Sequence, residues 1–226
     1  MLNYIIATDK PWHVDHFISN RQKLSGNWSL AICPSDLEEQ VSKLSPRFIF
    51  FPHWSEIVPA KIFEKYDCVC FHMTDVPFGR GGSPLQNLIV RGHTRTVVSA
   101  LKMNEGIDSG PVYLKCELDL TGSALDIFQR TAPVCFEMMH KIQMEEMTPV
   151  EQEGEPTIYK RRTCAESRIP EVLSINKLYD FVRMLDAPNY PKAFFSYGDF
   201  QIEMFNARIN NDETLSADVK VTKHEK

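Results

Sequence analysis

Apolar runs of strand length recur through the first third of the chain, separated by polar segments. The runs lie at Leu2–Ala7, Trp28–Cys33, Arg47–Phe51 and Cys68–His72. Between the second and third runs, Leu37, Val41 and Leu44 have the spacing of a helix with one buried face. Strands that alternate with helical segments predict a mostly parallel sheet with crossover helices, and therefore an α/β fold.

The pattern changes after His72, where residues 75–86 contain three glycines and two prolines. This composition predicts a loop. Two further strands are predicted at Thr96–Met103 and Val112–Leu118, joined by a tight segment at residues 104–110. A long helix with Ser123 as its N-cap is predicted to follow them.

The second half of the chain is divided by composition. Residues 1–148 are predicted to form the main domain, and the polar segment 149–170, which prolines and Gly154 interrupt, is predicted to be a linker. A small α+β subdomain is expected at residues 171–210, with a helix at Val172–Leu185 and two strands around the Gly198-Asp199 turn. The polar residues 211–226 are expected to be a disordered tail.

Composition narrows the function classes. The 226 residues are 43% hydrophobic and 24% charged, which is ordinary for a folded α/β chain. The formal net charge of -5 gives no attraction to nucleic acid or anionic lipid, so neither is expected as a partner. No secretory signal or membrane span is found in the sequence, which predicts a cytoplasmic protein. The six cysteines form no Cys-x-x-Cys pair and indicate reduced core thiols, with no metal site.

Two polar residues stand where chemistry is expected. His72 lies at the carboxyl end of a predicted strand, which is where open α/β sheets bind their ligands. Asp108 lies in a glycine-flanked turn that can present a carboxylate to a cleft. Such a pair could handle a proton near neutral pH. On position alone, a buried core histidine and a turn-forming aspartate are the more common interpretation.

A spaced motif connects these two residues to a known family. Cys70-Phe71-His72 is followed by Val76-Pro77, Arg80-Gly81 and Pro84, and then by the turn Gly106-Ile107-Asp108-Ser109-Gly110. The pattern resembles the formyltetrahydrofolate-dependent formyltransferases, in which Asn-x-His leads into a Leu-Pro turn, Arg-Gly, Pro and a Gly-x-Asp-x-Gly turn. The resemblance is good over about residues 47 to 118 and weak elsewhere.

This resemblance implies a Rossmann-like fold with a catalytic domain like that of methionyl-tRNA formyltransferase. It implies transfer of a formyl group from 10-formyltetrahydrofolate, the co-substrate, to a primary amine, with His72 handling the proton and Asp108 as its electrostatic partner. One position departs from the family. The asparagine that would donate to the developing oxyanion corresponds to Cys70, whose thiol is a weak donor.

Three explanations of this departure stay open. Another group such as Asn87 or Asn104 supplies the hydrogen bond, the tetrahedral intermediate is held less tightly, or the chemistry has changed. A further alternative makes Cys70 itself a thiolate nucleophile, although a cysteine in an apolar strand is more often inert.

The resemblance also implies where both substrates bind. The pterin ring is expected against Trp54, Ser55, Ile57 and Val58 on one loop, and against Met103, Asn104, Gly106 and Asp108. The acceptor is expected to be a nucleotide-linked amino sugar such as a UDP-4-amino-4,6-dideoxy sugar, as in formyltransferases of pseudaminic-acid-type sugar biosynthesis. It would contact Lys10, Thr74, Arg80 and Gly81, with the Arg80 guanidinium suited to a phosphate.

Alternative functions and assemblies remain open at the level of sequence. The missing asparagine is also compatible with a folate or nucleotide-sugar binding protein without catalysis, or with a hydrolase that releases formate from the carrier. The segment after the first strand lacks a glycine-rich phosphate turn, which argues against a glycinamide ribonucleotide acceptor. The apolar face of the helix at Val172–Leu185 could form a homodimer or pack on its own domain.

Overall fold

The strands expected from the sequence form a six-stranded sheet in the computed structural model, which describes residues 1–211 and 213–223. The first elements are β1 (Asn3–Ala7), α1 (Pro11–Asn20), β2 (Asn27–Ala31), α2 (Pro34–Leu44), β3 (Phe48–Pro52), α3 (Ala60–Phe63) and β4 (Asp67–His72). They are followed by β5 (Arg80–Gly81), α4 (Pro84–Val90), β6 (Arg95–Lys102), β7 (Val112–Asp119) and α5 (Ala124–Met144). The remaining elements are β8 (Ile158–Tyr159), α6 (Ile175–Arg183), β9 (Ala193–Tyr197), β10 (Phe200–Asn211) and β11 (Thr214–Lys223).

The main sheet has the strand order β2-β1-β3-β4-β6-β7. Strand β1 pairs in parallel with β2 and β3, β3 pairs in parallel with β4, and β4 pairs antiparallel with β6. The expected α/β class with a mostly parallel, Rossmann-like sheet is therefore confirmed. Because β2 and β3 lie on opposite sides of β1, the strand order reverses there, and α/β folds bind ligands outside the carboxyl ends of strands at such a point.

The burial of these strands explains why they occur as apolar runs in the sequence. Every residue of β3 is buried, as expected for a central parallel strand covered on both faces. One core cluster combines Ile5 of β1 with Ile49 and Phe51 of β3 and with Leu37 and Val41 of α2. The helical spacing of the last two residues places them on the buried face of α2.

The predicted loop at residues 75–86 extends too far. Pro84 occupies the first turn of α4, and Leu85 and Gln86 are buried inside that helix. Proline is tolerated at this position because its missing N–H would have no partner within the helix. The glycine and proline content was a correct signal for residues 75–83, apart from the two-residue strand β5.

The domain boundaries differ from those expected. The chain forms two compact units, of which unit 1 comprises residues 1–81, 96–118 and 128–158, and unit 2 comprises residues 82–95, 119–127 and 159–226. The segment 149–170 is not a linker, because its first part belongs to unit 1 and its second part to unit 2. Val150, for example, exchanges two backbone hydrogen bonds with Val112, of 2.7 and 2.9 Å.

Unit 2 contains a three-stranded antiparallel sheet with the order β11-β10-β9, and helix α6 contacts β10 and β11. The two strands predicted around the Gly198-Asp199 turn are present as β9 and β10. No helix in the described part of the chain combines the length and apolar character needed to cross a membrane.

The prediction of a disordered tail at residues 211–226 is wrong for residues 214–223, which form β11 and pair with β10. An edge strand needs few apolar residues, and here only Leu215, Ala217, Val219 and Val221 interrupt a polar run. That composition concealed the strand. Residues 212 and 224–226 of the expected tail lie outside the described residues.

Arg183, at the end of α6, is only 7% exposed. It connects this helix to the segment at Leu120 and Gly122 within unit 2. Its NH1 group donates to the carbonyl oxygens of Leu120 at 2.6 Å and Gly122 at 2.8 Å, and its Nε donates to Asp180 at 2.7 Å. A charged donor therefore satisfies two backbone acceptors that have few alternatives.

We expect Arg183→Met to lower the free energy of unfolding of the chain by about 3 kcal/mol, because two carbonyl oxygens lose a charged donor. Arg168→Met, which alters an exposed arginine of the same unit, is the matched control and should have little effect. Chemical denaturation followed by circular dichroism measures both values. Equal stabilities of the two variants would contradict this role.

Candidate active site

The ring of His72 is held at the carboxyl end of β4 by a backbone carbonyl. Its Nε2 atom lies 2.8 Å from the carbonyl oxygen of Gly79, and the pair is buried. A carbonyl oxygen can only accept a hydrogen bond, so Nε2 carries a proton. The tautomer of the neutral ring is thereby fixed, and Nδ1 is the nitrogen that can gain a proton.

Asp108 lies beside this second nitrogen. Its Oδ2 atom is 3.3 Å from Nδ1 of His72 and accepts a hydrogen bond of 2.9 Å from the backbone N–H of Gly81. The side chain of His72 is 9% exposed and that of Asp108 is 19% exposed. The structure thus brings together the two residues that the sequence singled out, at a place that solvent can reach.

Local sequence explains the turn that carries Asp108. Asp108 has a φ of +49°, a left-handed conformation that aspartate tolerates better than most residues. A Cβ atom on Gly110 would lie 1.8 Å from the carbonyl oxygen of Lys102, so only glycine fits there. Asn104 stabilises the turn from within, because its Oδ1 accepts hydrogen bonds from the N–H of Gly106 and the hydroxyl of Ser109.

The His72–Asp108 pair is built to take up one proton. With Nε2 protonated and the ring neutral, the lone pair of Nδ1 faces a carboxylate oxygen. A proton on Nδ1 replaces this repulsion with a charge-assisted hydrogen bond. The other carboxylate oxygen, Oδ1, has no hydrogen bond to any described residue, so it is the atom of the pair that is open to a ligand.

Cys70 lies two residues before His72 on the same face of β4 and packs against the core cluster. Burial, and next the negative charge of Asp108, raise the pKa of the Cys70 thiol. The thiol therefore stays protonated at neutral pH. The structure disfavours the alternative in which Cys70 is a thiolate nucleophile, and leaves it as a weak donor beside the pair.

The two asparagines considered as replacement donors have different surroundings. The side-chain amide of Asn87 donates to the carbonyl oxygens of Gly82, Ser83 and Lys160 at 3.0 to 3.2 Å. Both of its hydrogens are therefore used, and Asn87 has none to spare for an oxyanion. The Nδ2 group of Asn104 has no partner among the described residues, which leaves it available as a donor.

Three of the residues expected to bind the pterin lie together. Trp54, Val58 and Met103 pack against the same core cluster as Cys70. The indole Nε1 of Trp54 is buried and has no hydrogen-bond partner among the described residues, and such an unpaired donor suits an acceptor atom of a flat heterocycle. Ser55 and Ile57 are exposed on the loop after β3, and Gly106 is exposed in the turn of Asp108.

The expected acceptor residues divide into different roles. Lys10 pairs with Asp9 at 2.8 Å, and the N–H of Gly81 is directed at Asp108. The prediction for Thr74 is wrong, because its side chain has no solvent exposure and its hydroxyl donates to the Gly79 carbonyl that also holds His72. Arg80 donates through Nε and NH2 to the side-chain oxygen of Gln152, at 3.0 and 2.8 Å.

Two residues that hydrogen-bond to the candidate site lie in the segment predicted as a linker, and neither was predicted to do so. Thr157 accepts a hydrogen bond of 2.7 Å from the N–H of Gly79, and Gln152 donates to the carbonyl oxygens of Asp108 and Gly110. A single glutamine or threonine in a polar run carries no sequence signal of such a role.

Two buried histidines near the carboxyl ends of β1 and β3 were also not singled out. The rings of His13 and His53 lie 6.2 Å apart. Burial, and next the positive charge of Lys10, lower the pKa of His53 to about 3, and burial lowers the pKa of His13. Both rings are therefore neutral. No group of three or more potential metal ligands occurs within the described ranges.

Comparison with known proteins also indicates a formyltransferase. A family model described as the C-terminal domain of methionyl-tRNA formyltransferase matches residues 164–222. The methionyl-tRNA formyltransferase of Clostridium perfringens (strain SM101 / Type A) is 28% identical over 185 residues, which cover 78% of this chain and 59% of that protein. The chain thus spans about three fifths of the length of the curated relatives it matches.

Two solved structures extend the comparison. A sugar N-formyltransferase from Shewanella is 14% identical, with a TM-score of 0.67 over 88% of this chain and 94% of that chain, which shows a shared fold alone. A methionyl-tRNA formyltransferase from Clostridium thermocellum is 40% identical, with a TM-score of 0.95 over 99% of this chain and 100% of that chain. This match over the full chain shows that the protein belongs to the formyltransferase family that includes the methionyl-tRNA formyltransferases.

Proposed function

We propose that this chain is an N-formyltransferase that moves a formyl group from 10-formyltetrahydrofolate to the primary amine of a nucleotide-linked amino sugar. The observation that carries the proposal is the His72–Asp108 pair, with Nδ1 and Oδ2 3.3 Å apart and the tautomer set by Gly79. An amine that attacks a formyl carbon must lose a proton, and this pair is arranged to receive one.

The folate carrier, when bound, supplies the activated formyl group. Trp54, Val58 and Met103 would hold its ring, with the unpaired Trp54 indole N–H as a donor to the heterocycle. The turn at residues 104–110 would supply backbone groups close to Asp108. This placement is supported by the packing of all three side chains against one core cluster, against which Cys70 also packs.

The proton enters the pair at Asp108. Both ring nitrogens of His72 are occupied by protein partners, whereas Oδ1 of Asp108 is open. A proton accepted at the carboxylate is shared with Nδ1, where the resulting imidazolium is stabilised by the remaining negative charge. The Gly81 N–H holds Oδ2 in place while this happens.

The oxyanion donor of the family is replaced in part. The protonated thiol of Cys70 is a weak donor, and the spare Nδ2 group of Asn104 adds a stronger one from the turn of Asp108. Under this assignment Cys70 has no nucleophilic role.

The acceptor assignment has support from charge and from a structural relative. The net charge of -5 disfavours a large phosphodiester substrate, and the Shewanella relative acts on a sugar by its description. A second candidate acceptor is methionyl-tRNA, which is favoured by the 40% identity to the Clostridium thermocellum protein.

The first test replaces each member of the pair by a neutral amide side chain of similar size. His72→Gln and Asp108→Asn should each lower kcat about 100- to 10,000-fold, because a single remaining member cannot share the amine proton with its partner. Formyl transfer to an amino sugar, followed by mass spectrometry, measures this loss. His140→Gln and Asp15→Asn, at exposed positions of unit 1, are matched controls and should retain wild-type turnover. Near wild-type rates in both site variants would refute the assignment.

The second test identifies the acceptor. We expect UDP-linked 4-amino-4,6-dideoxy sugars to be formylated with 10-formyltetrahydrofolate as donor, and methionyl-tRNA to be formylated at least about 100-fold more slowly, because the acidic chain does not attract RNA. The products are measured by mass spectrometry for the sugar panel and by acid gel electrophoresis for the tRNA. Efficient formylation of methionyl-tRNA with no reaction on any sugar would establish the second candidate instead.

The third test concerns Cys70. Since its pKa is raised, iodoacetamide at neutral pH should leave Cys70 unlabelled, and Cys70→Ala should retain most of the turnover. Cys33 is the internal control, because it is only partly buried and hydrogen bonding to Ser35 lowers its pKa, so it should be labelled. Peptide mass spectrometry reads both positions. Selective labelling of Cys70 with loss of activity would show that it is a nucleophile.

A further inference from the structure

Gln152 makes four hydrogen bonds, two to the turn of Asp108 and two to Arg80. Its Nε2 group donates to the carbonyl oxygens of Asp108 at 2.9 Å and Gly110 at 2.7 Å. Its Oε1 atom accepts from Nε and NH2 of Arg80 at 3.0 and 2.8 Å. Two donors and two acceptor positions are all that a side-chain amide has, so the hydrogen-bonding capacity of Gln152 is completely used.

The chemistry of these partners explains why the residue is glutamine. Carbonyl oxygens only accept and a guanidinium only donates, so the orientation of the amide is determined by its neighbours. A glutamate at this position would place a carboxylate against two carbonyl oxygens. A lysine would place a positive charge against Arg80. Only an amide of this length offers donors on one side and an acceptor on the other.

The hydrogen bonds form a closed circuit around the carboxylate of Asp108. Gln152 fixes the peptide groups at Asp108 and Gly110, and it also fixes the side chain of Arg80. The backbone N–H of Arg80 donates to the carbonyl oxygen of Thr157 at 2.9 Å, and the next N–H in the chain, that of Gly81, donates to Oδ2 of Asp108. The same Oδ2 atom faces His72, so the circuit sets the geometry of the pair.

We propose that Gln152 is a positioning residue for the His72–Asp108 pair, and that Arg80 acts with it instead of binding a phosphate of the acceptor. This inference rests on the formyl transfer proposed above. Without Gln152, the turn of Asp108 keeps its left-handed residue but loses the two bonds that hold its carbonyl groups. A carboxylate displaced by about 1 Å from His72 would take up a proton far less effectively.

The experiment compares Gln152→Ala, Gln152→Glu and Arg80→Lys in the full chain by steady-state kinetics. Gln152→Glu keeps a hydrogen-bond acceptor for Arg80 but cannot donate to either carbonyl oxygen. Arg80→Lys keeps the positive charge but loses the paired Nε and NH2 donors. We expect kcat to fall about 10- to 100-fold in all three, with KM for the acceptor and for the folate within about threefold of wild type. A phosphate-binding Arg80 predicts a different split, in which Arg80→Lys raises KM for the acceptor.

Gln40→Ala is the matched control. Gln40 also donates to a backbone carbonyl, that of Leu30 at 2.7 Å, but on α2 and without contact to the pair. Gln40→Ala should leave kcat unchanged while lowering the thermal stability about as much as Gln152→Ala does. The proposal is overturned if the Gln152 variants retain kcat, if they change only KM, or if Gln40→Ala loses kcat to the same degree.

A second measurement separates this inference from the proposed activity. Hydrogen exchange of the amides at residues 104–110 should be faster in Gln152→Ala than in wild type, and unchanged in Gln40→Ala. If the wild-type chain transfers no formyl group, the proposed function fails while this readout still tests the positioning role. Unchanged exchange in Gln152→Ala would overturn that role independently of any activity.

Discussion

The hydrogen bond between Nε2 of His72 and the carbonyl oxygen of Gly79 is the constraint on which the rest of the site depends. It assigns the ring proton to one nitrogen and turns the other toward Asp108. The same carbonyl oxygen accepts from Thr74, and the N–H of Gly79 is held by Thr157. Both the carbonyl and the N–H of Gly79 are therefore held by hydrogen bonds. The tautomer of His72 follows from this backbone geometry, in a loop rich in glycine and proline.

The approach of Asp108 to His72 requires a turn that folds back on the sheet. Strand β6 runs antiparallel to β4, with Ser99 opposite His72 and Lys102 opposite Val69, so the end of β6 lies away from the end of β4. The turn at residues 104–110 must return toward His72. Gly110 allows it to pass against Lys102, and the left-handed conformation of Asp108 directs the carboxylate inward. Local steric constraints thus produce a long-range electrostatic contact.

The sequence predicted the elements whose signal is strong and local. The central parallel strands β1, β3 and β4 are largely apolar because the sheet is covered on both faces there, whereas the edge strand β2 is only partly buried. All four were found within a few residues of their bounds. The helix beginning at Pro84, the edge strand at residues 214–223 and the roles of Thr74 and Gln152 were not predictable in this way. Each depends on a partner distant in the chain, and a single proline, valine, threonine or glutamine does not specify that partner. The proximity of His72 and Asp108 came from the family motif, since strand patterning alone gives no reason for it.

We infer that the Gly79 carbonyl fixes the proton of the neutral His72 ring on Nε2, which leaves Nδ1 beside Asp108 as the basic nitrogen. Long-range hydrogen–nitrogen NMR of the imidazole ring, with His72 assigned by comparison with His72→Gln, measures this directly. In the neutral ring, we expect Nε2 of His72 to carry the proton and Nδ1 to be bare. A neutral ring protonated on Nδ1, with Nε2 bare, would contradict it.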